Sequence, residues 1–368
     1  MIRYALKSLF QDKGRLFLSV FGVAVAILLI LFMEGILNGT AKQLTAYIDN
    51  ADAQVFVAQD GVKNIHMAKS FIPASTEKEV ESIKGVSEVA AINYLSIDLK
   101  LKNRSIFAYL IGWDQEKNLG GPWDMVEGKA KVEKDEVIID KVVADKYGYK
   151  LGDKIEFLGK KFKIAGLAQG TFSMMSSTFF FEKNTFTDKL PPGTLSYLLV
   201  KTEKGAKAAD VTKRINAKLS KAHAMTKARF SSSENKVTKK MGLELIYIMT
   251  SISIAAAIGV VALSIYSATL EKVRDFGILK AIGAGKGRLY AVVISQSLFS
   301  TLAAAVIGVL LSLGLTMLLK AVASEVSVII TLAGIEKALI IAVSVGVVAA
   351  YLPVRQIKNV DPVLVFKG

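Results

Sequence analysis

Apolar residues in this chain of 368 residues collect in four long runs, and the polar residues fall mainly into one large portion between the first two. The runs are residues 16–36, 246–268, 289–319 and 332–352. About twenty apolar residues in a helix cross the hydrocarbon core of a bilayer, so each run predicts a transmembrane helix. The third is longer than a perpendicular crossing needs and predicts tilt or projection. Glu336 and Lys337 interrupt the start of the fourth, where a lysine stem can lie on apolar surface while its ammonium reaches outward. Within residues 1–15, Ile2, Ala5, Leu6, Leu9 and Phe10 recur at helical spacing opposite Arg3 and Lys7. That pattern predicts an amphipathic helix along the inner membrane surface. The first long run exceeds a signal-peptide core and no small-x-small cleavage site follows it, so it reads as a retained span.

Residues 37–245 carry shorter patterns. Period-two or β-rich runs bounded by Gly, Asn, Asp or Pro predict strands at 53–58, 89–92, 95–101, 106–112, 136–139, 154–158, 161–167, 178–181 and 196–201. Helical spacing appears at 38–50, 75–83, 141–147 and 206–222, with Thr76 placed as an N-cap before Glu77 and Glu79. The predicted fold class is therefore an α-helical membrane protein with four transmembrane helices plus an α+β extracytoplasmic domain inserted between helices 1 and 2. Residues 269–288 and 320–331 form the two remaining connections, and 353–368 the tail.

Charge adds direction. Arg3, Lys7, Lys13 and Arg15 flank the first span; Lys272, Arg274, Lys280, Lys286 and Arg288 lie between the second and third; Arg355, Lys358 and Lys367 follow the fourth. The connection at 320–331 is poor in such residues. The bias of Lys and Arg toward cytoplasmic flanks puts both termini and residues 269–288 in the cytoplasm, with 37–245 outside. A net charge of +15 raises the possibility of nucleic acid. The basic residues are dispersed and lack interleaved aromatics, so anionic lipid or an acidic envelope polymer is the expected counterpart, with no nucleic acid. With no cysteine and only His66 and His223, neither thiolate chemistry nor a metal site is expected. No nucleophile motif is present, so the chain is expected not to be an enzyme.

The connection 271–284 reads EKVRDFGILKAIGA, a polar helix set between two spans. It resembles the coupling helix of the permease family that includes the macrolide-exporter, lipoprotein-release and cell-division (FtsX-like) ABC subunits. Glu271, Lys272, Arg274, Gly277, Leu279, Lys280, Ala281, Gly283 and Ala284 stand in matching positions, while Asp275 replaces the usual Glu and Phe276 the usual Ile. Gly128, Asp140, Gly152, Asp153 and Gly166 hold positions characteristic of the family's periplasmic core domain, and Pro353, Asp361 and Pro362 those of its closing segment. Within this family (type VII), the stretches IGWDQEKNLGGPWDMVEG and FGVAVAILLILFMEGILNG most resemble the haem-efflux and heterocyst-glycolipid-exporter permeases, and Gln296 replaces the Glu of many relatives. A plain solvated turn with basic anchors is the competing reading of 271–284.

The resemblance implies a permease subunit of a bacterial ABC exporter in the cytoplasmic membrane. Two copies would pair through their first two spans and recruit two copies of an ATPase subunit, which binds ATP and Mg. A membrane-fusion protein is a further possible partner. The ATPase-coupling residues would be Glu271, Lys272, Arg274, Asp275, Phe276, Gly277, Leu279, Lys280 and Gly283. The GAGKGR string at 283–288 lacks the strand and the spacing of a nucleotide-binding loop, so Gly283 and Gly285 are read as helix terminators. Met33 and Glu34 are candidate substrate-binding residues, since an ionisable group in a span is a functional candidate. A thioether and a carboxylate could meet the iron of haem, one of several hydrophobic or amphiphilic cargoes (haem, lipid, peptide or drug). The competing reading leaves Glu34 hydrated at the interface. Two other classes stay open: a non-transporting permease that activates a cell-wall hydrolase, and a membrane-anchored receptor or enzyme, which leaves 271–284 unexplained.

Overall fold

The computed structural model describes residues 13–354 except 67, 103, 118, 174–175, 272–276, 279, 281–283, 323–325 and 352, with backbone alone at 15, 237–239, 241–243, 245 and 286. The chain divides into two compact units, one of residues 39–241 with 323–327 and one of the remainder. Among the described residues, four helices are long and apolar enough to cross a membrane, α1 (Lys13–Asn50), α5 (Lys227–Glu271), α6 (Lys286–Val322) and α7 (Leu332–Ala349). The α+β unit is inserted between α1 and α5.

In the helical unit each helix buries one stripe. Ala338, Ala342, Val345 and Ala349 recur at intervals of four, three and four along α7, and Ala257, Val261 and Ile265 at intervals of four on α5. These meet Val23, Ala24, Ile27 and Leu31 of α1 and Val292, Val293, Ala304 and Ala305 of α6. Small side chains let helix backbones approach closely, which replaces the hydrophobic drive that lipid does not supply. A Cβ at Gly308 would lie 2.8 Å from the Ala24 carbonyl oxygen, so α6 touches α1 there through bare backbone. Gly259 and Gly314 face open space. Polar side chains supply the remaining contacts: Ser297 Oγ donates to the Gly346 carbonyl of α7 at 2.6 Å, and the hydroxyls of Ser19 and Ser264 meet across α1 and α5. Gln296 is buried.

The α+β unit is built on a ten-stranded mixed sheet, comprising β1 (Val55–Gln59), β3 (Val86–Leu101), β4 (Arg104–Trp113), β5 (Met125–Gly128), β6 (Glu136–Asp140), β7 (Lys154–Phe157), β8 (Lys160–Ala168), β9 (Ser176–Glu182), β11 (Tyr197–Thr202) and β12 (Ala222–Thr226). Their order is β12-β1-β11-β3-β4-β9-β6-β8-β5, with β7 paired to β8. The β4–β9 and β6–β8 pairs are parallel and the others antiparallel. Two-residue strands β2 (Ile72–Pro73) and β10 (Thr194–Leu195) pair separately.

The sheet is covered on both faces, which is why β6 and β9 read as continuous apolar runs rather than alternating ones. Phe180 points into one core with Trp113, Tyr197, Tyr47 of α1 and Phe230 of α5, while Phe179 and Phe181 point into another with Phe157 and Phe162. A third layer sets Val55, Val57 and Val200 against Val80 of helix α2 (Thr76–Glu81) and against Val211 and Ile215 of α4 (Ala208–Lys218).

Three sequence expectations are corrected. The stretches 89–92 and 95–101 are one 16-residue strand, β3, whose first half pairs β11 and whose second half pairs β4. Asn93 does not break it, because its buried amide donates to the Lys183 carbonyl at 2.8 Å. Thr76 is not an N-cap: it lies inside α2 and is buried, and Ser75 precedes it in helical conformation. The helix expected over 206–222 ends at Lys218, and the chain turns into β12, an edge strand the sequence pattern misses. Asn216 secures that edge, its side-chain amide both donating to and accepting from the Ala224 backbone, at 3.0 and 2.6 Å. An edge occupied in this way is a poorer template for stray pairing.

Candidate functional site

Three places gather chemistry, and the first is the connection between α5 and α6. Of its nine candidate residues, Lys272, Arg274, Asp275, Phe276, Leu279 and Gly283 lie outside the described residues. Glu271 is exposed at the end of α5, Gly277 is buried, Ile278 is 45 % exposed and Lys280 is half-buried. Residues 281–283, where a preceding helix would end, lie outside the described residues, and Gly285 itself is irregular. The Gly285 carbonyl accepts from the Arg288 and Leu289 amides at 2.9 and 3.4 Å, opening α6.

The second place is the pair of candidates on α1. Glu34 is not simply hydrated at an interface, because its Oε1 lies 2.8 Å from the Lys337 ammonium of α7. Its other oxygen packs at the first turn of α7, 3.4 Å from where a Cβ on Gly334 would stand. That turn is capped by Thr331, whose hydroxyl accepts from the Gly334 amide at 3.0 Å. The carboxylate borders a crevice lined also by Leu31, Gly35, Asn38 and residues 329–331. Here the segment before α7 runs along α1: the Ile329 amide donates to the Gly35 carbonyl at 2.9 Å, and a Cβ on Gly35 would strike Val328 at 2.7 Å. Met33 is half-buried and is not among the residues lining this crevice. The structure thus joins Glu34 to Lys337, which the sequence reading leaves unpartnered, rather than to Met33.

The third place, in the α+β unit, escapes sequence reasoning. Glu234, at the start of α5, is 1 % exposed; it accepts from the Ile65 amide at 2.8 Å and lies 3.0 Å from His66 Nδ1. His66 rests edge-on against Tyr109, their ring centres 4.4 Å apart. Burial first, and then the nearby Glu234 carboxylate, push the Tyr109 hydroxyl up to about 12, against a hydrogen bond from Ser176 that lowers it. Residues 231–233 are helical, and the buried carboxylate just after them carries no local signal because its partners lie far back in the chain. Elsewhere in this unit a cavity of about 600 Å³ is bordered by Trp113, Asp114, Glu182 and Lys183. Lys183 there lies 3.6 Å from Asp114 and 3.7 Å from Glu77. Among the described residues, no group of three His, Cys, Asp or Glu side chains is placed to hold a metal ion.

Residues 16–218 match the MacB-like periplasmic core domain family, and residues 247–362 match the FtsX-like permease C-terminal family. An ABC transporter permease of Methanocaldococcus jannaschii is 23 % identical over all of this chain and 98 % of its own length. A protein named as a hemin transport system permease, from Staphylococcus haemolyticus, is 21 % identical over 92 % of each chain. The crystal structure of the periplasmic region of MacB from Actinobacillus actinomycetemcomitans, 14 % identical, covers 50 % of this chain and 94 % of its own, with a TM-score of 0.38. With a core-domain match over more than half its length and a permease match over its C-terminal spans, this multi-pass membrane chain belongs to the MacB- and FtsX-like family of ABC transporter permeases.

Proposed function

We propose that the chain is the permease subunit of an ABC exporter that couples ATP hydrolysis by a separate ATPase to the extrusion of a hydrophobic or amphiphilic cargo. The observation that carries this reading is the placement of EKVRDFGILKAIGA at 271–284, between the second and third spans and inside the permease-matching segment. A chain that needs no ATPase has no use for such a segment. The Lys and Arg bias of the flanks supports a cytoplasmic side for both termini and for 269–288, in the cytoplasmic membrane.

Two copies would pair through α1 and α5 and bind two ATPase subunits, each holding ATP and Mg. A membrane-fusion protein would be an additional partner. The span-bearing helices support a mechanical mode of action: α1 and α5 have 38 and 45 residues, so at a rise of about 1.5 Å per residue both outrun the hydrocarbon core. Both also carry side chains into the core of the inserted domain, through Tyr47 and Phe230. ATP-driven movement of the spans would thereby be transmitted to the inserted domain without an aqueous channel. Haem, a lipid, a peptide or a drug fits the cargo class, with Met33 and Glu34 as the proposed contact region.

In the complex with its ATPase, Phe276→Asp and Leu279→Asp should each uncouple hydrolysis from export. A carboxylate forced into an apolar contact without a partner costs on the order of several kcal/mol. Permease-stimulated ATPase rate and cargo release are the measurements. Wild-type values for both in both variants would refute the coupling role of 271–284.

A further inference from the structure

Gly35 and Gly39 lie one turn apart on α1 and together leave a notch on one side of the helix. Residues 327–329, part of the irregular stretch before α7, occupy it. A Cβ on Gly35 would stand 2.7 Å from Val328 Cγ1, and one on Gly39 would overlap the Ser327 carbonyl group. Neither position admits a side chain while the stretch is in place. Val328 is 3 % exposed, and Ser327 and Ile329 on either side are half-buried. The fit is close, but the ties are few. Among the described residues, the bond from the Ile329 amide to the Gly35 carbonyl, 2.9 Å, is the one backbone hydrogen bond that holds 326–330. Close by, the Glu34–Lys337 pair is exposed on its lysine side, and so open an ion pair contributes little net stability. The first turn of α7 does not depend on these ties, because Thr331 caps it through the Gly334 amide. A stretch that fits by shape, is weakly tied and precedes a self-capped helix can lift away without unwinding either helix.

We propose that residues 326–330 form a clasp that closes on the Gly35–Gly39 notch, with Val328 as its catch, and that opens to release the start of α7 from α1. The structure holds the closed state. Opening exposes Val328 and bares the helix backbone at both glycines. The Glu34–Lys337 pair is the second, weaker hold, and its loss favours the open state. In the exporter reading the clasp opens as α1 moves during ATP hydrolysis, which frees α7 from following it. The inference rests on that reading for its timing, but not for the opening itself.

The test uses the cysteine-free chain, full length in phosphatidylcholine nanodiscs, with Val328→Cys labelled by a charged maleimide. Without ATPase, labelling should be slow. Gly35→Ala and Gly39→Ala should each accelerate it about fivefold or more, because a methyl group at either position obstructs the closed clasp. Alanine favours a helix over glycine, so a gain in labelling would not come from a weakened α1. Glu34→Gln and Lys337→Gln should both accelerate labelling, by about twofold to fivefold. Gly314→Ala, facing open space, should leave it unchanged. Ala342→Cys, fully buried on α7, should stay protected in every background, which separates opening of the clasp from general loosening. With the ATPase present, ATP should raise Val328→Cys labelling above the rate seen with a non-hydrolysable analogue. Labelling unmoved by Gly39→Ala, or an equal acceleration at Ala342→Cys, would overturn the clasp. Labelling indifferent to ATP, in a complex whose ATPase the permease stimulates, would overturn its part in the cycle. Absence of that stimulation would count instead against the exporter reading.

Discussion

Asp140 shows how one residue secures an element of the inserted domain. It is fully buried, caps α3 (Lys141–Tyr147) by accepting from the Val142 amide at 2.8 Å, and also accepts from the amide and hydroxyl of Thr171 at 2.8 and 2.7 Å. Burial pushes its carboxyl above the ordinary range, against these hydrogen bonds, which lower it. The native state thus holds its proton to higher pH than the unfolded chain does. The Asp140 contribution to stability is therefore fully present below the ordinary carboxylate value, about 3.9, and declines as pH rises through the raised native value. Asp140→Ala should destabilise the domain by about 2–4 kcal/mol, since it removes a cap and orphans buried donors. Asp140→Asn should remove this part of the pH dependence. Both tryptophans, Trp113 and Trp123, lie in this domain, so fluorescence-detected unfolding of the full chain reports it selectively. The sequence marks Asp140 by its place in the core-domain resemblance, and Glu34 by its charge within an apolar run. It does not reveal that Lys337 and Glu234 matter, because each pairs with a residue far away in the chain and charge alone does not say which partner folding supplies.

At the scale of elements, hydrophobic period does most of the predicting and fails where a partner distant in the chain completes the element. β6, β7 and β8 begin and end within a residue or two of the runs that predict them. β3 is misread as two strands because a polar Asn93 in mid-strand resembles a turn until its buried acceptor is known. β12 is too short and irregular to be recognised without β1 beside it. Glycines in the spans divide in the same way, since composition does not distinguish a contact from an open face. Gly308→Leu should drive a side chain into α1 and lower stability by about 1–3 kcal/mol, whereas Gly314→Leu, facing open space, should change it by no more than about 0.5 kcal/mol. Thermal unfolding of both variants in the same detergent is the measurement. Equal losses would mean that α6 does not meet α1 at Gly308.

Across the whole molecule, four spans and an inserted α+β domain are legible because length and apolarity separate them before any detail is known, and the family matches to 16–218 and 247–362 fall in the same order. The side of the membrane that each part occupies follows from charge bias, and it predicts a labelling pattern. The chain has no cysteine, so single cysteines report cleanly. Lys84→Cys and Lys160→Cys should react with an impermeant thiol reagent on intact cells, and Arg288→Cys should react only after permeabilisation. All three wild-type side chains are exposed. Reaction of Arg288→Cys in intact cells would reverse the proposed orientation. The central claim, a permease driven by an ATPase docked between the second and third spans, is tested most directly by a photo-crosslinking amino acid at Ile278, which is exposed. Illumination in cells should join the chain to an ATP-hydrolysing subunit from that position, and not from Leu332, which is exposed at the opposite connection. Crosslinking of such a subunit from Leu332 but not from Ile278, or of no ATP-hydrolysing protein from either, would contradict it.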